Sequence, residues 1–280
     1  MSAPDFIAVG HVTLDRVGDA TRPGGAALYA AVTAHRLGLS VGLLTSHGDD
    51  FPLDLIPSPI EVVSVPAEAT SVFEHRTVPG GREMRVITTA RPLSANDVPE
   101  DWRDAGLALL APVIDEVDPA VTDAFSDATI AAAAQGWLRR LAPAGEVVAR
   151  PWTPPAELLG RLQALVVSTD DVRGQESRLT EWLQRLPFAV VTAGAHGALL
   201  YVNGERYDVR PRPAREVDAT GAGDVFAATF VIRYHLDGDP WQAAAAATCA
   251  ASLAVEGAAW STVPDRAKLD AALHEYLRAD

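Results

Sequence analysis

Short apolar runs alternate with helix-like stretches along most of the chain. Residues 6–9 (Phe-Ile-Ala-Val) form a run that stops at Gly10, and residues 26–37 have the composition of a helix closed by Gly38. Residues 41–45 and 60–65 are further short β-branched runs. The order strand, helix, strand predicts a parallel sheet covered by helices. The alternation resumes with apolar runs at 107–110, 129–133, 164–168 and 189–192, separated by helical patterns such as 176–186. From Gly221 onward helical patterns dominate, over 223–236, 241–255 and 265–277.

Two places break this rhythm. Residues 71–78 and 83–89 flank Pro79-Gly80-Gly81, and residues 199–202 and 206–209 flank Asn203-Gly204. Both predict hairpins, because Gly and Asn accept the left-handed backbone of tight turns. The first hairpin is polar and carries arginines, which suits a sheet edge or the cover of a site. No repeat, low-complexity linker or domain boundary interrupts the chain. Residues 1–280 therefore read as one α/β/α domain with a small β appendage.

Charge narrows the choice of partners. There are 37 acidic against 23 basic residues, a formal net charge of −14. Such a surface repels nucleic acid and anionic membranes, so neither is expected as a partner. Any phosphate site must then be built locally, from backbone N–H groups, a helix N-terminus and a bound cation. The single cysteine, Cys249, sits in an Ala-rich helical run and reads as a small buried hydrophobe. It permits no internal disulfide, which fits a reducing compartment. The first residues carry Pro4 and Asp5 and no basic stretch, unlike a secretory signal. The Ala-rich run 243–254 is too short to cross a bilayer, and a cytoplasmic protein is expected.

The chemistry concentrates in Asp218-Ala219-Thr220-Gly221-Ala222-Gly223-Asp224, which opens the first of the C-terminal helices. Small residues let the backbone turn sharply and present N–H groups, and the helix macrodipole favours negative charge there. A carboxylate beside that cradle can accept the proton of an attacking hydroxyl. Taken alone, the same segment is also what an Asp-capped helix looks like. A Walker loop is excluded, because Asp224-Val225 stands where Lys-Ser/Thr is needed. A dinucleotide fingerprint is excluded, because Phe226 occupies the third glycine position.

The segment 218–224 closely resembles the C-terminal signature of the ribokinase/PfkB carbohydrate kinase family. Gly24-Gly25-Ala26-Ala27-Leu28-Tyr29-Ala30-Ala31, followed by Arg36-Leu37-Gly38, resembles the N-terminal signature of that family. The resemblance extends over roughly residues 6–263 and implies a ribokinase-like three-layer α/β/α sandwich with a β lid. It implies Asp224 as catalytic base, with the N–H groups of Gly221, Ala222 and Gly223 as anion hole. Asp15, Gly24 and Gly25 would meet the substrate, with Tyr29 in the same pocket. Thr192, Gly194 and Gly197, from a strand–Gly-x-x-Gly–strand element, would meet ATP together with Thr220. Gln135-Gly136-Trp137-Leu138-Arg139 resembles a Gly-x-x-Arg stretch of some members, which makes Arg139 a substrate or phosphate ligand. Asp218 would lie near a monovalent cation such as K⁺. His196 reads as a solvated turn residue.

Three departures bear on function. Tyr29 stands where the family usually has Asn, which reshapes the pocket and offers an aromatic face on which a nucleobase could stack. Residues 16–23 look too short for two lid strands, so the lid is expected to be reduced to the hairpin at 71–89. The lid often forms the dimer contact, so either a monomer or a homodimer is expected. The family's Asn-x-x-Glu, which supports Mg²⁺ through water, appears as Ser168-Thr169-Asp170-Asp171, leaving Asp171 as an outer ligand. The expected activity is ATP-dependent phosphorylation of a sugar or polyol hydroxyl, with the Gly24–Tyr29 segment resembling the inositol-kinase-like branch. A nucleoside kinase of the same family and a catalytically silent ligand-binding member are the alternatives.

Overall fold

The computed structural model describes residues 3–78 and 81–279. The strands are β1 (Phe6–Val9), β2 (Thr13–Val17), β3 (Ala20–Gly24), β4 (Val41–His47), β5 (Glu61–Pro66), β6 (Ser71–Val78) and β7 (Gly81–Thr88). They continue as β8 (Leu107–Leu110), β9 (Thr129–Ala133), β10 (Arg139–Leu141), β11 (Val147–Ala149), β12 (Ala164–Ser168), β13 (Phe188–Thr192), β14 (Ala198–Val202) and β15 (Glu205–Val209). The helices are α1 (Ala26–Arg36), α2 (Ala156–Arg161), α3 (Glu176–Leu183), α4 (Ala222–Asp237), α5 (Pro240–Ala254) and α6 (Arg266–Arg278).

Nine strands form one sheet in the order β15-β14-β13-β12-β9-β8-β1-β4-β5. It is parallel from β13 to β5, with β14 and β15 added antiparallel at one edge. Side chains alternate across a strand, so each apolar run feeds two cores. Phe6 and Ala8 pack with α1, α4, α5 and α6, whereas Ile7 and Val9 pack with Trp102, Trp137, Trp152 and residues of α2 and α3. The result is the three-layer α/β/α sandwich expected from the sequence. Cys249 is fully buried in the first of these cores.

Strand order reverses between β1 and β8. Ligands of open α/β sheets bind beyond the carboxyl ends of strands at such a point. Gly10 follows β1 there with φ 157°, and a Cβ on it would come within 2.3 Å of the Ala111 carbonyl oxygen beyond β8. The two chain segments thus leave the sheet in backbone contact at the reversal.

A second sheet has the order β3-β2-β6-β7. The expectation that residues 16–23 could not supply two strands is wrong. The strands begin earlier and end later than that window, at Thr13 and Gly24, and only Gly18 and Asp19 turn between them. Gly18, at φ 58°, provides the left-handed backbone of this turn. The hairpin expected at 71–89 is present as β6–β7, while its turn residues Pro79 and Gly80 lie outside the described residues. A third, short hairpin, β10–β11, reaches this sheet through an Arg85–Glu146 bridge and a hydrogen bond from Val86 N–H to Gly145 O (2.9 Å).

Candidate active site

The C-terminal helical region opens where the sequence places its small residues. Gly221 is left-handed (φ 77°), α4 starts at Ala222, and Asp224 lies in its first turn. The first N–H groups of a helix lack intrahelical acceptors. Ala222 N–H makes only a long bond to Ala219 O (3.3 Å), and among the described residues the Gly221 and Gly223 N–H groups donate to no protein acceptor. Gly223 is exposed, and a Cβ there would meet nothing within 4 Å. Open space therefore adjoins the positive end of the α4 dipole.

Asp224 is buried, at 9% exposure. Its Oδ1 accepts a hydrogen bond from the Gln135 side-chain amide (3.2 Å). Burial pushes its carboxyl up to about 7, against the pull of Arg139 and with further upward pressure from Asp171 and Asp15. A carboxylate poised near neutrality is suited to exchange protons with a bound hydroxyl.

The loop before α4 borders a cleft of about 310 Å³, lined among others by Asp15, Arg22, Tyr29, His75, Asp218 and Thr220. Asp15 comes from β2 and accepts a hydrogen bond from the Thr13 hydroxyl (2.9 Å). Burial holds its carboxyl above the ordinary value, opposed by Thr13 and by the charge of His75. Gly24 packs on this carboxylate, since a Cβ there would come within 2.3 Å of Asp15 Oδ2. Gly25 (φ 106°) caps α1 against the His11 carbonyl oxygen, so both glycines stand where a side chain would collide with its neighbours.

Asp218 fastens the loop before α4. Its Oδ1 accepts from Thr220 N–H (3.0 Å) and its Oδ2 from Ala259 N–H (3.3 Å), with Arg22 at 3.9 Å. Burial works against its charge, but these donors together hold its carboxyl below the ordinary value. Asp171 accepts from both the backbone N–H (3.0 Å) and the hydroxyl (2.7 Å) of Ser168, and its other oxygen faces Arg139 at 3.7 Å. Arg139 is thus joined to the acidic group rather than free on a helix surface; it opens strand β10. No group of three or more His, Cys, Asp or Glu among the described residues is arranged to hold a metal ion.

The sequence-derived candidates fall into two sets. Asp15, Tyr29, Asp218 and Thr220 line one cleft, with Gly24 packed on Asp15, and Asp224 feels the charges of Asp15, Arg139 and Asp171. Thr192 ends β13 opposite Ser168 of β12, Gly194 lies in the exposed turn that follows, and His196 is exposed as expected. Gly197 (φ 89°) is committed to packing, with the Val209 carbonyl oxygen 2.2 Å from where a Cβ would be. Among the described residues no hydrogen bond joins them to the Asp224 side chain. The idea that a base stacks on Tyr29 does not survive: the ring is 3% exposed and sits edge-to-face with Trp260 at 5.8 Å. Nothing in the sequence marks Gln135 as the partner of Asp224.

Comparison with known proteins shows what the chain is similar to. The profile described as pfkB family carbohydrate kinase matches residues 157–265, which include the whole 218–224 segment. Over that stretch the chain is similar to pfkB family carbohydrate kinases. Among its relatives, a cytidine kinase of Thermococcus kodakarensis is 27% identical over 82% of this chain and 88% of that protein. An inositol 3-kinase of Arabidopsis thaliana is 26% identical over 75% of this chain, and the match spans only 60% of that longer protein. A solved structure of a pyrophosphate-dependent myo-inositol-1 kinase, converted by two substitutions into a myo-inositol-3 kinase, superposes with a TM-score of 0.79. It shares 19% identity and covers 97% of this chain and 99% of that one, so the shared property is the ribokinase-like fold. No helix among the described residues is long and apolar enough to cross a membrane.

Proposed function

We propose that this protein is a kinase of the pfkB type that transfers the γ-phosphoryl group of MgATP to a hydroxyl of a small sugar or polyol, with Asp224 as general base. The observation that carries this reading is a carboxyl raised to about 7 at the mouth of α4, beside backbone N–H groups that open onto free space. The substrate lies in the adjoining cleft with its hydroxyls on Asp15 and against the backbone of Gly24 and Gly25. Asp224 accepts the proton of the attacking hydroxyl. The Gly221, Ala222 and Gly223 N–H groups balance the charge of the transferring group. The four-stranded sheet acts as the lid, since β2, β3 and β6 contribute Asp15, Arg22 and His75 to the cleft wall.

The residues present fit a nucleotide with its own metal. MgATP supplies the activated phosphoryl group and charge neutralisation by the ion. Open space against Gly223 leaves room for phosphate oxygens, and Thr192 and Gly194 lie at the carboxyl edge for the rest of the nucleotide. Mg²⁺ keeps several waters and binds chiefly through phosphates, so the absence of a carboxylate cage among the described residues is compatible with it. Asp171 would act on its hydration shell. A monovalent cation such as K⁺ would use the lone pairs Asp218 retains beyond its two backbone bonds.

A nucleoside is the second reading, favoured by the near full-length match to the cytidine kinase. The test is a panel of myo-inositol, ribose, fructose, cytidine and adenosine, each offered with ATP or with pyrophosphate and followed by ADP or orthophosphate release. Turnover with ATP and a sugar or polyol is the expected result. Preference for cytidine or adenosine would move the acceptor class to nucleosides, and turnover with pyrophosphate alone would overturn ATP as donor. Binding without any turnover would identify a silent family member.

A further inference from the structure

We propose that Gln135 is the positioning residue of the base: its side-chain amide fixes Asp224 Oδ1, leaving Oδ2 to take the proton of the acceptor hydroxyl. This rests on the reading of Asp224 as base and extends it. The amide nitrogen lies 3.2 Å from Oδ1 and is the only hydrogen-bond donor to the Asp224 side chain among the described residues. The contact links residues 89 apart in sequence.

The turn that presents Gln135 is fastened on its far side. Gly136 N–H donates to Pro112 O (3.1 Å), and a Cβ on Gly136 would come within 2.4 Å of the Pro112 carbonyl carbon. Only glycine lets this turn sit so close to the segment leaving β8. Trp137 is 1% exposed, donates from Nε1 to Val117 O (2.8 Å) and stacks on Trp152. The Gln135 amide therefore projects from a fixed base rather than from a mobile loop.

A neutral donor suits this position. A guanidinium bonded directly to Asp224 would stabilise its charged form strongly and strip it of basicity, whereas an amide orients the carboxylate at less cost to its proton affinity. Arg139, at the start of β10, brings its charge to Asp224 only at longer range, because it is shared with Asp171. The charged and titratable groups facing Asp224 are Arg139 from β10, Asp171 beyond β12, Asp15 from β2 and Tyr29 from α1. None of them replaces the amide contact.

The test titrates Asp224 directly. Protein labelled with ¹³Cγ-aspartate is followed by NMR between pH 5 and 9, with Asp224→Asn identifying the resonance. Leu at position 135 keeps the size and removes the donor, and Glu keeps the shape and adds a charge. In Gln135→Leu the midpoint of Asp224 rises by about one pH unit, the worth of a hydrogen bond to a charged group. In Gln135→Glu it rises further. With MgATP and whichever of myo-inositol and cytidine is turned over, kcat of Gln135→Leu falls at least about tenfold while KM for ATP holds. An unmoved midpoint in both folded variants overturns the proposal, as does a raised midpoint with unchanged kcat. Near-normal turnover by Asp224→Asn would instead sink the assignment of the base itself, whatever the Gln135 variants do.

Discussion

The Tyr29 ring occupies the space that a side chain on Gly221 would need: a Cβ built there lies 2.2 Å from Tyr29 Cδ1. Gly221 is also left-handed, at φ 77°. The helix that follows the Gly24-Gly25 pair is thereby locked onto the turn that begins α4. The two glycine-bearing segments of the sequence, far apart along the chain, form one rigid corner of the cleft.

Substituting Gly221 by Ala should therefore cost stability by about 1–3 kcal/mol, from backbone strain and overpacking together. Denaturant unfolding measures it. Adding Tyr29→Ala removes the steric part, so the double variant should be more stable than the sum of the single effects predicts. Strict additivity would mean that the ring and the turn are not coupled.

Turnover should follow the ionisation of Asp224. The base works when deprotonated, so kcat/KM should rise with pH and level off above about 7. An acid limb with its midpoint near 4 would show an Asp224 in an ordinary, solvated environment.

The same raised carboxyl makes a stability prediction with a definite sign. The folded state holds the Asp224 proton up to about 7 while the unfolded state releases it near 3.8. Between those values the folded state binds more protons, so this residue's contribution to stability declines as pH rises through that window. Asp224→Asn, which cannot ionise, should be more stable than wild type at pH 8, by at most about 4 kcal/mol, and close to wild type at pH 4. Equal stability differences at both pH values would contradict the buried-carboxylate account.

Asp15 separates acceptor binding from chemistry. Asp15→Ala should raise KM for the sugar or polyol by about tenfold or more, as expected for loss of charge-assisted hydrogen bonds, with KM for ATP little changed. Parallel weakening for both substrates would place Asp15 in a structural role.

Much of this was legible in the sequence. The run Phe6–Val9 reads as a buried strand, and it is one: successive residues feed the two cores. The 218–224 segment reads as a turn into a helix, and Gly221 and Asp224 take those places. The β2–β3 hairpin was hidden because Thr13–Val17 mixes apolar and charged residues and its burial fades toward Val17, giving no clean period. The β10–β11 hairpin was hidden because each strand has only three residues, below what periodicity can register. The Gln135–Asp224 contact left no local signal, since it depends on β9 and α4 meeting at the sheet's carboxyl edge.

The most direct measurement is a burst-free kcat for Asp224→Asn against wild type, with MgATP and the best acceptor of the panel, on protein shown to be folded. Loss of about 10²–10⁴-fold in kcat with nucleotide binding retained is the predicted result. Turnover within a few-fold of wild type would contradict it.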